Sequence, residues 1–114
     1  MATTREKPIE KHLLEQCRAH GFLCIKFVSP ARGGVPDRVV ITPSGTVFAE
    51  LKRPGGALDK RQRATRAKLR SFGAEVFVLD DREAVDEFMR TMRRRTPHSD
   101  FGTDLEPSAS ASAS

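Results

Sequence analysis

Asp37, Glu50 and Lys52 are the residues whose types and spacing invite chemistry. Glu50 and Lys52 flank Leu51. Side chains alternate between the two faces of a strand, so the acid and the amine point one way and the leucine the other, into apolar packing. Between Asp37 and Glu50 the run Pro43-Ser44-Gly45 reads as the turn of a hairpin, and a tight hairpin centred on Pro43-Ser44 sets Asp37 opposite Glu50. Facing carboxylates destabilise a sheet, which makes the pair odd as structure. A hard cation held between them removes that penalty. Mg²⁺ takes oxygen ligands and is commonly held by one or two carboxylates, with water and phosphate oxygens completing its shell. A lysine beside it could orient or deprotonate an attacking water and offset charge on a phosphate. Hydrolysis of a phosphodiester has these needs. The bland alternative is a turn aspartate plus an exposed Glu50–Lys52 ion pair on an edge strand.

The elements around this segment must bring the three side chains together. A helix is expected from about Pro8 to His20, with Pro8 near its first turn, Gly21 as its stop, and Ile9, Leu13, Leu14 and Cys17 as its apolar stripe. Phe22 to Val28 reads as a strand, and Ser29 to Gly34 as a loop containing Pro30 and Gly33-Gly34. The hairpin strands run from Val35 to Ile41 and from Thr46 to Lys52. After the Arg53 to Leu58 loop comes a helix from about Lys60 to Phe72, capped by Asp59 and stopped by Gly73. Glu75 to Leu79 is a fourth strand. A last helix, capped by Asp80 or Asp81 and running to about Arg93, turns Val85, Phe88, Met89 and Met92 inward. The order predicts an α/β fold, a central mixed sheet of about four strands flanked by helices.

At 114 residues the chain has room for one domain. Residues 1–95 form the expected globular part. From Thr96 onward Pro, Ser, Asp and Gly give way to Ser-Ala repeats, too little apolar surface to offset ordering entropy, and residues 96–114 are expected to be a disordered tail. No apolar run is long enough to span a bilayer and the N-terminus lacks the apolar core of a secretory signal, so no membrane is expected and the cytoplasm is the expected location. Cys17 and Cys24 have no metal-ligand partners nearby in sequence and read as reduced, buried thiols.

Charge is unevenly spread. All twenty Lys and Arg lie at or before Arg95 against twelve acids, a net of +8, whereas the tail carries Asp100, Asp104 and Glu106 and no base, a net of −3. A compact domain this basic suits a polyanion, nucleic acid above all. Seven bases, Arg53, Lys60, Arg61, Arg63, Arg66, Lys68 and Arg70, face Asp59 alone between residues 53 and 72. Solvated helix faces usually mix signs. Arg63, Arg66 and Arg70 fall on one outer stripe expected to meet phosphates, and Arg32 and Arg38 flank the Asp37 turn, from which they could reach the backbone near a scissile bond. Arg93-Arg94-Arg95 says less, because a helix dipole favours bases at a C-terminus anyway.

Leu58, Gln62, Thr65, Leu69 and Phe72 recur at spacings of four and three, which puts the Gln62 amide on an inward stripe. Its partner there could be an active-site carboxylate, a substrate phosphate or a plain structural group.

The combination of Gly34-Val-Pro-Asp37, Ala-Glu50-Leu-Lys52, a glycine-containing loop and a helix with an early glutamine, Gln62, resembles the PD-(D/E)XK nuclease signature. Specifically it is similar to the virus-type replication-repair nuclease branch, VRR-NUC. Ile9-Glu10 matches the acid which that family places in its first helix. The resemblance runs from about Ile9 to Phe88. It implies a restriction-endonuclease-like fold, with Asp37 and Glu50 as metal ligands together with the carbonyl of Leu51, Lys52 as the catalytic lysine, and Glu10 and Gln62 as accessory catalytic residues. Glu10 could equally be a solvated acid paired to its helix neighbours.

The implied activity is Mg²⁺- or Mn²⁺-dependent DNA endonuclease action by a homodimer on branched DNA such as four-way junctions, in a bacterial or phage-infected cell and without a nucleotide cofactor. A flap or nicking endonuclease and a non-catalytic nucleic-acid-binding module are the alternatives. A pure binder has no use for paired acids facing a polyanion.

Overall fold

The computed structural model describes residues 2–96, with side chains from Lys7 onward; of the tail expected to be disordered, residues 97–114 lie outside the described residues, whereas Thr96 caps the last helix. Elements follow in the order α1 (Ala2–Ala19), β1 (Leu23–Lys26), β2 (Arg38–Thr42), β3 (Gly45–Leu51), α2 (Lys60–Ser71), β4 (Val76–Leu79) and α3 (Arg82–Arg95). The strands lie side by side as β1-β2-β3-β4. The first two pairings are antiparallel, and β3 with β4 is parallel across the α2 crossover, so the sheet is mixed as expected.

Alternation along β3 divides the molecule. Val47, Ala49 and Leu51 are buried and join Val40 of β2 and Leu79 of β4 in the main core, under α1 and α3. Leu13, Val85, Phe88 and Met92 are almost wholly shielded, and the Phe77 and Phe88 rings meet edge to face at 4.8 Å. The four residues expected on the inner face of α3 are all buried. The other face of the sheet carries Phe48, Glu50 and Lys52, with Val76 and Val78 from β4 beside them. It has α2 alone for cover. Toward β1 it is open: Leu23, Ile25 and Ile41 are exposed.

Three boundary differences bear on the site and its supports. Helix α1 begins at Ala2, so Pro8 sits inside it and not in its first turn; the residues ahead of Pro8 continue the helix although the ring removes one backbone donor. Strand β1 stops at Lys26, its pairing extended by one bond from Phe27 N–H to the Asp37 carbonyl at 2.9 Å. Strand β2 starts at Arg38, which leaves Asp37 just outside it. The hairpin register is nonetheless the expected one: Thr42 pairs with Gly45 and Arg38 with Ala49, and one further step sets Asp37 opposite Glu50. The Thr42 hydroxyl donates to the Gly45 carbonyl (2.9 Å) and accepts from Ser44 N–H (3.1 Å), closing the turn.

Polar groups beneath α1 are paired. His12, buried although no periodic argument singled it out, lies 2.7 Å from Asp86 of α3. Both cysteines are free, Cys17 buried and Cys24 half-buried. The interaction between the two thiols, together with burial, pushes Cys17 well above the usual thiol range, and the same interaction draws Cys24 down against the opposing effect of burial.

Candidate active site

Glu50 is the buried anion of the sheet's sparsely covered face, 4% exposed near the end of β3. Leaving such a carboxylate without polar partners would be costly. The Gln62 amide donates to its Oε2 at 2.6 Å, and the Lys52 ammonium stands 4.0 Å from the same oxygen. Gln62 can reach it because α2 begins correctly. Asp59 accepts from Gln62 N–H at 2.8 Å while Gln62 Oε1 accepts from Asp59 N–H at 3.0 Å, a reciprocal capping box. The glutamine thus does two jobs: its oxygen closes the helix start and its amide nitrogen holds Glu50.

Asp37 reaches the site from the other strand. Its Oδ2 accepts from Leu51 N–H at 2.8 Å, tying the aspartate to the peptide between Glu50 and Lys52. In ordinary strand geometry the N–H and C=O of one residue point to the same side, so the Leu51 carbonyl shares the side of Asp37. The preceding Gly33-Gly34-Val-Pro36 run is fixed against α2. Thr65 donates to the Gly33 carbonyl at 2.9 Å, and buried Pro36 lines a small cavity with Gly34, Glu50, Leu58, Gln62 and Arg66. Gly34 has φ +76°, and a Cβ there would stand 2.6 Å from the Arg61 carbonyl oxygen. A side chain at residue 34 would push the helix away from the loop.

The donor set fits a hard divalent cation. Two carboxylates and a carbonyl are all oxygen, with no thiolate or imidazole to favour softer metals. Among the described residues no three His, Cys, Asp or Glu side chains converge on one point, so water and substrate oxygens would have to complete the shell.

Glu10 is not brought into this group. It lies on α1, across the sheet, where its Oε2 accepts from Arg38 Nη2 (2.7 Å) and Nε (3.0 Å). That pair also corrects the reading of Arg38. Its place opposite Ala49 in the register sends the side chain toward α1, where it is 14% exposed and bound to Glu10, so it does not extend toward a phosphate outside.

The basic helix departs from its expected stripe as well. Arg63 is exposed and donates to the Leu58 carbonyl at 2.7 Å. Arg66 turns inward beside Glu50 and Gln62, with a buried Nε that has no hydrogen-bond partner among the described residues. Arg70 is exposed at the mouth of a neighbouring cleft that Arg66 and Glu75 also line. Arg32, Arg53, Lys60 and Arg61 are exposed, as phosphate contacts require. Phe72, expected on the inward stripe, is 80% exposed. The terminal run is structural in part: Arg95 clamps both Glu75 oxygens at 2.7 and 2.9 Å and holds that carboxyl below its ordinary range.

Sequence reasoning missed the Thr65–Gly33 bond and the inward turn of Arg66. The threonine's place on the stripe with Gln62 was the available signal for the first. The second depends on the packing of α2 against β4, which no local pattern encodes.

Comparison with known proteins places this geometry. No family model matches the sequence. The chain is 44% identical over 84 residues to "Putative nuclease p44" of Acyrthosiphon pisum secondary endosymbiont phage 1, an alignment spanning 73% of this chain and 90% of that protein. A solved VRR_NUC domain superposes with a TM-score of 0.70 at 32% identity, covering 75% of this chain and 95% of the domain. No helix among the described residues is long and apolar enough to cross a membrane. With the mixed four-stranded sheet and its Asp37, Glu50 and Lys52 cluster, these likenesses establish that the chain belongs to the VRR-NUC family of nucleases.

Proposed function

We propose that this nuclease is an endonuclease that hydrolyses DNA phosphodiester bonds with Mg²⁺ or Mn²⁺ at a centre formed by Asp37, Glu50, the Leu51 carbonyl and Lys52. The observation that carries the reading is the buried Glu50 carboxylate, gripped by Gln62 at 2.6 Å with Lys52 at 4.0 Å, next to a peptide whose N–H is bound by Asp37. When bound, a divalent cation supplies Lewis-acid polarisation of the scissile phosphate. Gln62 and the β3 backbone keep Glu50 in one orientation, so no side-chain reorganisation is needed as charge develops. Lys52 orients the attacking water and offsets charge on the phosphate. Arg32, Arg53, Lys60, Arg61, Arg63 and Arg70 provide sequence-independent backbone contacts. Arg66 lies close enough to Glu50 to act on a phosphate next to the cut.

In this reading the active species is a homodimer, since one site per chain cuts one strand and two-fold pairing supplies the second. The open apolar sheet surface of Leu23, Ile25 and Ile41 is the surface offered to the second copy. Branched DNA is the preferred substrate, as the family resemblance implies.

Labelled four-way junction, flap, single-stranded and duplex DNA, each incubated with Mg²⁺, Mn²⁺ or EDTA, test the proposal. Cleavage should require the metal and be fastest on the junction. Equal cleavage in EDTA would remove the metal from the account, and equal rates on all four substrates would remove the preference for branches. Sedimentation of the free protein at the monomer mass at high concentration would contradict the dimer.

A further inference from the structure

Phe72 is the most exposed large apolar side chain among the described residues. Single apolar residues on a surface are ordinary and need no explanation. This one differs in its setting. It caps α2, a helix of twelve residues bearing six Lys or Arg and no acid, and the Lys68 ammonium stands 5.8 Å from the centroid of its ring.

The ring is also held outside the core by the way the helix stops. Phe72 N–H is bonded back to Leu69, Gly73 N–H to the Arg70 carbonyl at 2.9 Å and Ala74 N–H to the Leu69 carbonyl at 3.0 Å, with Gly73 at φ +95°. This is the helix-ending arrangement in which a glycine takes the left-handed conformation, and its apolar contact joins the residues on either side of the cap and leaves the cap itself outside. The aromatic ring therefore stands on a fixed backbone. It does not hang from a loop.

We infer that Phe72 is a base-stacking residue, which receives an unpaired base of the nucleic-acid substrate against its exposed face while the surrounding Lys and Arg hold the adjoining phosphates. The inference rests on the nuclease reading of the Glu50 centre. Charge complementarity selects the occupant: an acid-free helix with five exposed bases, Lys60, Arg61, Arg63, Lys68 and Arg70, and one protruding ring suits a strand that offers phosphates and a flat π-surface together, whereas a protein partner burying this ring would also have to neutralise those bases. An apolar side chain of this kind can also wedge into a weakened base step.

Phe72 follows Gln62 by ten steps along the helix and its cap, about 15 Å at the usual rise. A strand following the helix advances about 3.4 Å per nucleotide, which puts the stacked base about four nucleotides from the scissile phosphate. The consequence is specificity: DNA with an unpaired base at that distance binds better than a perfect duplex of equal length and charge.

The test uses Phe72→Ala and Phe72→Trp in the full chain with the catalytic centre intact. Two DNA probes are compared, a perfect duplex and the same duplex with one bulged 2-aminopurine placed two to seven nucleotides from the mapped cut. Wild type and Phe72→Trp should bind the bulged probe more tightly and quench its fluorescence most strongly about four nucleotides away. Phe72→Ala should lose roughly 5- to 150-fold in affinity for the bulged probe, the range typical of one base–aromatic stack. Its duplex affinity and salt dependence should be unchanged. Loss on both probes alike, or on neither, would overturn the proposal, as would a fall in the dimer fraction of Phe72→Ala by sedimentation, which would assign the ring to a second copy. A wild-type protein that binds neither probe contradicts the nuclease reading instead; one that binds both with an ordinary salt slope but ignores residue 72 contradicts only the stacking role.

Discussion

The two faces of the sheet are built from the same strands and behave oppositely. On the α1 and α3 face, Val40 and Ala49 are fully shielded and the polar groups present, His12 with Asp86 and Arg38 with Glu10, are paired with each other. On the α2 face a buried carboxylate, an ammonium and an amide converge at Glu50, while Leu23, Ile25 and Ile41 stay open to solvent. One residue's step along β3 moves a side chain from one environment to the other. The packed core and the candidate site thus lie on opposite sides of one layer, so substitutions should sort by face.

The largest effect should come from the chemical face without a cost in stability. Asp37→Asn is expected to lower single-turnover cleavage by about 10³-fold or more while the thermal midpoint stays near wild type, since an exposed side chain with one backbone bond contributes little to the core. Circular dichroism melts run beside the cleavage assay check the split. The converse is Leu13→Ala, deep in the other face, which should cost about 2–5 kcal/mol in urea unfolding and leave the turnover of the folded fraction unchanged. Turnover falling in proportion to the stability loss would mean that the faces are coupled.

Gln62→Ala removes both a cap and the grip on Glu50. It should destabilise by about 1 kcal/mol, the scale of a capping interaction, and slow cleavage by about tenfold or more. Asp59→Ala, which disrupts the cap but not the amide contact, should reproduce the stability loss with a smaller effect on rate. Equal rates in the two variants would show that the Gln62–Glu50 bond does not matter to the reaction. The smallest effect should be electrostatic. Replacing Arg63 and Arg70 together with Ala should make log affinity against log salt shallower by up to about 0.9 for each phosphate no longer neutralised, with turnover at saturating DNA retained. An unchanged slope measured by fluorescence anisotropy would turn those side chains toward solvent.

Local patterns carried much of this arrangement in the sequence. Alternation around Leu51 and the turn at Pro43-Ser44 gave the register that sets Asp37 against Glu50, and the Asp59 cap and the inner face of α3 were readable from spacing alone. These signals lie within one element or one hairpin. What the sequence did not reveal depends on elements meeting across the fold. The pairing of Glu10 with Arg38 joins residues 28 apart from two different layers, helix α1 and the sheet. The inward turn of Arg66 accompanies the packing of α2 against β4, and Phe72 left the periodic stripe where the helix ended, one residue earlier than periodicity implied, at the glycine after it. Helical spacing says which side chains share a face, but not how much of that face a neighbour covers.

In the proposed reaction Asp37, Glu50 and Lys52 form one metal-dependent hydrolytic centre. It is tested most directly by single-turnover cleavage of a labelled four-way junction by Lys52→Ala in saturating Mg²⁺, with binding to the same junction measured in Ca²⁺. The account predicts a rate at least about 10²-fold below wild type, the scale of losing one charge-stabilising donor, with junction affinity within a few-fold of wild type. A variant that cuts at the wild-type rate would contradict it.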